Sequence, residues 1–104
     1  MILVTRFVPY SAMAVYPFIL VKKEEMKRNV ILIHHEKIHH RQQLELLIVP
    51  FYLLYLFNYL YNLLRYRNQY KAYREIIFER EAFQMDNDLD YLNRRKMFAF
   101  VKFL

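Results

Sequence analysis

NVILIHHEKIHHRQQLELLIV, residues 29 to 49, decides how this chain is read. Leu32, His35, His39, Gln42 and Leu46 recur at steps of three and four, the spacing of one face of an α-helix. Both inner histidines lie on that stripe. Residues four apart project from the same side one turn apart, so His35 and His39 can converge on one tetrahedral Zn²⁺ at roughly 2.0–2.1 Å per bond. Between them stands Glu36, completing H-E-x-x-H. It projects beside the metal without competing for it and can take a proton from zinc-bound water, which makes it the candidate general base. His34 and His40 point elsewhere around the helix and are expected to be surface or supporting groups.

The rest of the chain bounds what such a site can be made of. At 104 residues it is read as a single domain, residues 1–104, with a core that leaves little to spare. It has no Gly and only three Pro, which disfavours a multi-stranded sheet with tight turns and predicts a mainly α (α+β) fold. It has no Cys, so disulfides, thiol nucleophiles and cysteine-ligated metals are excluded and only His, Asp and Glu remain as ligands. A net charge of +6 with 57% apolar and 18% aromatic content points to anionic, greasy surroundings. Because the basic residues flank apolar runs, membrane lipid is the expected partner and nucleic acid is not.

The opening MILVTRFVPYSAMAVYPFILV is interrupted by Arg6, Pro9 and Pro17 and lacks a cleavage site of small residues, so it reads as strands and not as a signal peptide. Two are expected, near residues 2–8 and 13–21, the second with a free side at Pro17. KKEEMKR, residues 22–28, is a solvated connection. Pro50 should end or kink the first helix. FYLLYLFNYLYNLL follows, apolar nearly all round except for Asn58 and Asn62, and is closed by Arg65, Arg67, Lys71 and Arg74. A last long helix is expected from about Tyr70 to Leu92, with Phe78, Ala82, Met85, Leu89 and Leu92 as its apolar seam. The tail NRRKMFAFVKFL reads as a basic, aromatic, amphipathic end.

A catalytic zinc of this type needs a third protein ligand. The candidates are Glu79 and Glu81 in FEREAF, and seam periodicity places Glu81 nearer the core face.

HEKIHHRQQ at 35–43, with EREAF at 79–83, resembles the H-E-x-x-H-x-x-Q-Q and E-x-E-A-D elements of gluzincin metallopeptidases. The compact chain is similar to minimal gluzincin scaffolds, which look like stripped-down catalytic domains of integral-membrane metallopeptidases. From PFILVK through HEKIH, QQLELL and FEREAF to LDYL it also looks like a group of small bacterial proteins. The resemblance implies a minimal zincin-like scaffold: a short strand pair, three helices, and a zinc site between the H-E-x-x-H helix and the last long one. It implies His35, His39 and Glu79 as zinc ligands, Glu36 as general base, and peptide-bond hydrolysis at the bacterial inner membrane. Phe83 stands where the pattern has an Asp that would orient a ligand histidine, which predicts weakened zinc binding or a degenerate enzyme. The strand AVYPFILV takes on the task of pairing with an extended substrate.

One further expectation follows from the site. A membrane crossing at residues 46–64 would separate the histidines from Glu79, so that block should pack on the zinc helices with one side and lie on the membrane surface with the other.

Overall fold

The computed structural model describes residues 1–8 and 11–104. The chain is mainly helical with a small N-terminal sheet, as composition predicts, but its elements are shorter and more numerous than periodicity suggests. The sheet has three strands, not two: β1 (Ile2–Val4), β2 (Ala12–Val15) and β3 (Phe18–Val21), in the order β1-β3-β2. The expected strand over 13–21 is broken at Tyr16 and Pro17, which form the turn of a β2–β3 hairpin that pairs Val15 with Phe18. Pro17 lacks an N–H and so sits in the turn, where the ladder does not need one. The expected first strand keeps only three residues, which run parallel to β3.

KKEEMKR becomes a turn of 3₁₀ helix, Glu24–Arg28, with no residue buried. α1 (Val30–Glu45) then starts at Asn29, whose side chain accepts from Leu32 N. It ends four residues before Val49, for a reason other than Pro50. Leu47 and Ile48 both take left-handed φ, at 61° and 59°, and turn the chain. Pro50 instead occupies the first turn of α2 (Val49–Tyr66), where a missing N–H costs nothing. α1 and α2 meet at 113°.

The expected single helix over 70–92 is three: α3 (Gln69–Arg74), α4 (Ile77–Met85) and α5 (Tyr91–Arg94). Among the described residues there are thus five α-helices where three were anticipated. The break between α3 and α4 is held from α2 by the two polar residues in its apolar run. Asn62 Nδ2 donates to Ala72 O at 3.1 Å, and Asn58 Oδ1 accepts from Ile77 N at 2.8 Å. Asn58 thereby caps α4 from another helix, in place of Ile76, which has no capping side chain. This re-aims α4 and puts Glu79 in its first turn, where the helix dipole favours a carboxylate. Of the expected seam, Phe78 and Ala82 are buried, Met85 and Leu92 pack against the core, and Leu89 is exposed.

The apolar core is split. Phe51, Ile76, Phe78 and Phe100 form one cluster, and Ile38, Ala82 and Tyr91 another. Phe100 comes from the tail, where Ala99–Phe103 forms a 3₁₀ turn. Polar groups occupy the space between: α1 buries His34, His35, Glu36, His39, Gln42 and Gln43, against one apolar residue, Ile38.

Candidate metal centre

His35 and His39 project from α1 toward α4, and both Nε2 atoms lie 3.0 Å from the same atom, Glu79 Oε1. All three residues are buried, their ligand atoms fall within 4.8 Å of one another, and the group could hold a metal ion. Spacing along α1 accounts for the histidines, and the Asn58-capped start of α4 accounts for Glu79.

Glu81 is elsewhere. Its carboxylate accepts from Gln42 Nε2 at 2.9 Å, Tyr91 Oη at 2.5 Å and Arg95 Nε at 2.5 Å, and it is fully buried. Burial alone would raise its pKa, but Arg95, Tyr91 and Gln42 lower it. Seam periodicity correctly marks Glu81 as the more buried glutamate, but burial here serves an ion pair with Arg95, which also binds Glu45 at 2.8 Å.

Each imidazole also has a hydrogen-bond partner on its far side. His35 Nδ1 lies 3.1 Å from Asp86 Oδ2. His39 Nδ1 lies 2.7 Å from Gln42 Oε1. The Gln42 amide has one orientation consistent with its surroundings, because its Nε2 faces two acceptors, Phe78 O at 3.1 Å and Glu81 Oε1. Every ring nitrogen of the pair therefore faces an acceptor. Two neutral imidazoles have two N–H groups for these four contacts. The space between the two Nε2 atoms and Glu79 Oε1 is where a proton or a metal cation would sit. The donor set of two imidazoles and one carboxylate fits a divalent ion such as zinc.

The charges of the group shift one another. Burial would lower the His39 pKa, but the Glu79 carboxylate overrides it and raises the value to about 9. For Glu79, burial pushes upward and the two histidines override it, holding the carboxyl well below the usual range. Glu36 is also buried, and desolvation raises its pKa although His39 and His35 pull it back. That shift moves a carboxylate toward the range in which a general base works at neutral pH.

Sequence reasoning missed Asp86. Phe83, at the position where an aspartate would support a ligand, packs its ring edge-on to His35 with centroids 4.4 Å apart and carries the Arg74 guanidinium 3.7 Å from its own centroid. The acceptor facing His35 Nδ1 is Asp86, three residues on, at the C-cap of α4. His34 is buried, not on the surface, and its Nδ1 lies 3.0 Å from Asp86 O, fixing the backbone of that same residue. His40, partly buried, reaches Phe18 O at 2.9 Å and ties α1 to β3.

Tyr55 also emerges from the structure. Its Oη donates to Glu79 Oε2 at 2.6 Å, and burial together with Glu79 raises its pKa so that it stays a donor. Among ten tyrosines, no sequence pattern singles it out.

Two cavities flank the group. One of about 370 Å³ is walled by Met13, Phe51, Tyr52, Tyr55, Leu56 and Tyr59 and reaches Glu36, His39 and Glu79. The other, of about 300 Å³, touches His35, Glu36, Tyr70, Phe83 and Asp86. Ala12 of β2 borders both. β2 is an edge strand, and the Lys22 N to Ser11 O bond sets the pairing parity so that the amides and carbonyls of Ala12 and Ala14 point outward. AVYPFILV is therefore an edge strand only in its first half, since Phe18–Val21 is the central one.

No family model, no curated protein and no solved structure matches this chain.

Proposed function

We propose that the chain is a membrane-associated, zinc-dependent peptidase of gluzincin type, with His35, His39 and Glu79 as ligands and Glu36 as general base. The observation that carries this reading is the convergence of both Nε2 atoms on Glu79 Oε1 with Glu36 buried beside them. Bound zinc supplies Lewis acidity at the centre of the group. Asp86 and Gln42 hold the imidazoles with Nδ1–H directed away, leaving Nε2 as the ligand atom. Glu36, with its pKa raised, accepts the proton of the attacking water and returns it to the leaving amine. Tyr55 holds Glu79 from the second carboxylate oxygen. An extended peptide adds to the outer edge of β2 at Ala12, beside both cavities.

The test is the variant Glu36→Gln. It is expected to retain metal at the wild-type level while losing peptide cleavage, whereas His39→Ala loses both. Zinc-loaded wild type that cleaves nothing in a broad library of unstructured peptides would reject the enzyme. In that case the second reading stands, a noncatalytic membrane-surface interaction module on the same scaffold, favoured by the exposed apolar side of α2.

A further inference from the structure

α2 has two faces, and the site lies against one of them. Its inward half supplies Phe51, Tyr52, Tyr55, Leu56 and Tyr59 to the larger cavity, next to His39 and Glu79. Its outward half repeats at steps of three and four through Val49, Leu53, Leu56, Phe57, Leu60 and Leu64, each between 44% and 80% exposed. Contiguous apolar patches on monomeric soluble proteins seldom exceed a few hundred Å², and six large side chains in one stripe reach that limit. Leu56 belongs to both halves, half exposed and lining the cavity, and Met13 of β2 lies across from it, also part-exposed. The cavity therefore opens at the edge of the apolar stripe and not on a polar surface.

Charge selects the occupant of that stripe. Between Val49 and Tyr66 there is no acidic residue, Arg65 lies in the last turn, and Arg67 and Lys71 follow. Two copies of a chain of net charge +6 repel, whereas an anionic lipid surface receives the stripe and its basic end together.

We propose that the substrates of this site are apolar, membrane-proximal segments of membrane-tethered polypeptides, presented along the α2 face from the bilayer surface to the edge of β2. This rests on the peptidase reading above. Presentation at a surface raises the local concentration of a tethered substrate without any new contact in the cleft. The aromatic wall of the cavity accepts the bulky apolar side chains that such segments carry.

The experiment uses the full zinc-loaded chain, phosphatidylcholine vesicles with and without phosphatidylglycerol, and one apolar peptide rich in bulky side chains, prepared free and acyl-anchored. Wild type is expected to sediment with the anionic vesicles and to cleave the anchored peptide at least about tenfold faster than the free one. Leu53→Lys and Phe57→Lys, neither of which lines the cavity, should lose sedimentation and the rate advantage while keeping metal content and the rate on free peptide. Cleavage of free peptide with no advantage from anchoring overturns this proposal and leaves the peptidase reading standing. A dimer in solution that ignores vesicles assigns the stripe to a second copy and also overturns it. Cleavage of neither form, with zinc bound, removes both readings together.

Discussion

Asp86 lies 3.1 Å from His35 Nδ1, three residues beyond the position where the sequence pattern calls for an aspartate and this chain has Phe83. Under the metal-site reading proposed above, Asp86 orients His35 from the helix terminus instead of the helix interior. Asp86→Ala is therefore expected to weaken metal binding by roughly 10–100-fold, the usual effect of losing such a partner. Phe83→Ala should matter less, since it removes ring packing and no hydrogen bond. Competition titrations with a chromogenic chelator compare the two, and the reverse order would refute the assignment.

On the other imidazole the support runs through a chain. Glu81 and Phe78 O fix the Gln42 amide, which accepts from His39 Nδ1–H. Gln42→Ala should lower metal affinity by a factor in the same 10–100-fold range. Glu81→Gln, which offers a single oxygen to both Gln42 and Arg95, should lose affinity too. If Glu81 acts through Gln42, the double variant falls no further than Gln42→Ala alone. The visible spectrum of the cobalt-substituted proteins reports the change at the site, and thermal unfolding reports the fold separately. Additive losses would mean that Glu81 acts on the fold and not on His39.

His39 also sets a pH dependence. Its pKa in the folded chain, about 9, lies above the ordinary value of 6.5 because the pull of Glu79 exceeds the cost of burial. A raised pKa gives stability that is fully present below about 6.5 and is lost as pH rises through about 9. Chelator-treated protein should lose on the order of 3 kcal/mol between those limits. Metal affinity should run the opposite way, rising across the same window as the competing proton leaves. His39→Ala should flatten the stability profile, and urea midpoints at a series of pH values would detect a slope that survives the substitution.

Asn58 offers a test far from the ligands. Asn58→Leu makes α2 more uniformly apolar yet removes the cap of α4, and should cost about 1 kcal/mol. Because that cap positions the first turn carrying Glu79, metal affinity should fall as well. Asn58→Asp, which keeps an acceptor for Ile77 N, should restore both. A variant with unchanged melting temperature and affinity would show that α4 starts where it does for another reason.

Half of the site can be read in the sequence because it obeys a local rule. The i, i+4 spacing of His35 and His39 needs only a helix. Which glutamate joins them depends on where α4 begins, and that is set by Asn58, nineteen residues away in α2. Periodicity reports burial and cannot tell a ligand from the partner of a buried arginine, so it favours Glu81. The helix expected from Tyr70 to Leu92 fails for a related reason: no Gly or Pro marks the breaks, and the cap of α4 comes from another element. The hairpin at Tyr16 and Pro17 is hidden because β-branched and aromatic residues continue on both sides of the turn. In a chain without glycine, left-handed positions fall on Leu47, Ile48, Arg67 and Phe98, residues that no turn rule would select.

The outer edge of β2 is not open along its whole length. The Ala14 carbonyl accepts from Gln43 Nε2 at 2.9 Å and from Tyr52 Oη at 2.7 Å, and Gln43 Oε1 takes the amide of Tyr16 at 2.9 Å. An exposed strand edge is a template for runaway pairing between molecules, and this one is plugged by side chains for half its span. What remains unsealed, around Ala12, is too short to propagate a sheet from chain to chain. Replacing Gln43 and Tyr52 together by alanine would therefore do more than loosen a strand: it would unplug Ala14 O and Tyr16 N and give a protein with a greasy helix a longer backbone edge open to pairing.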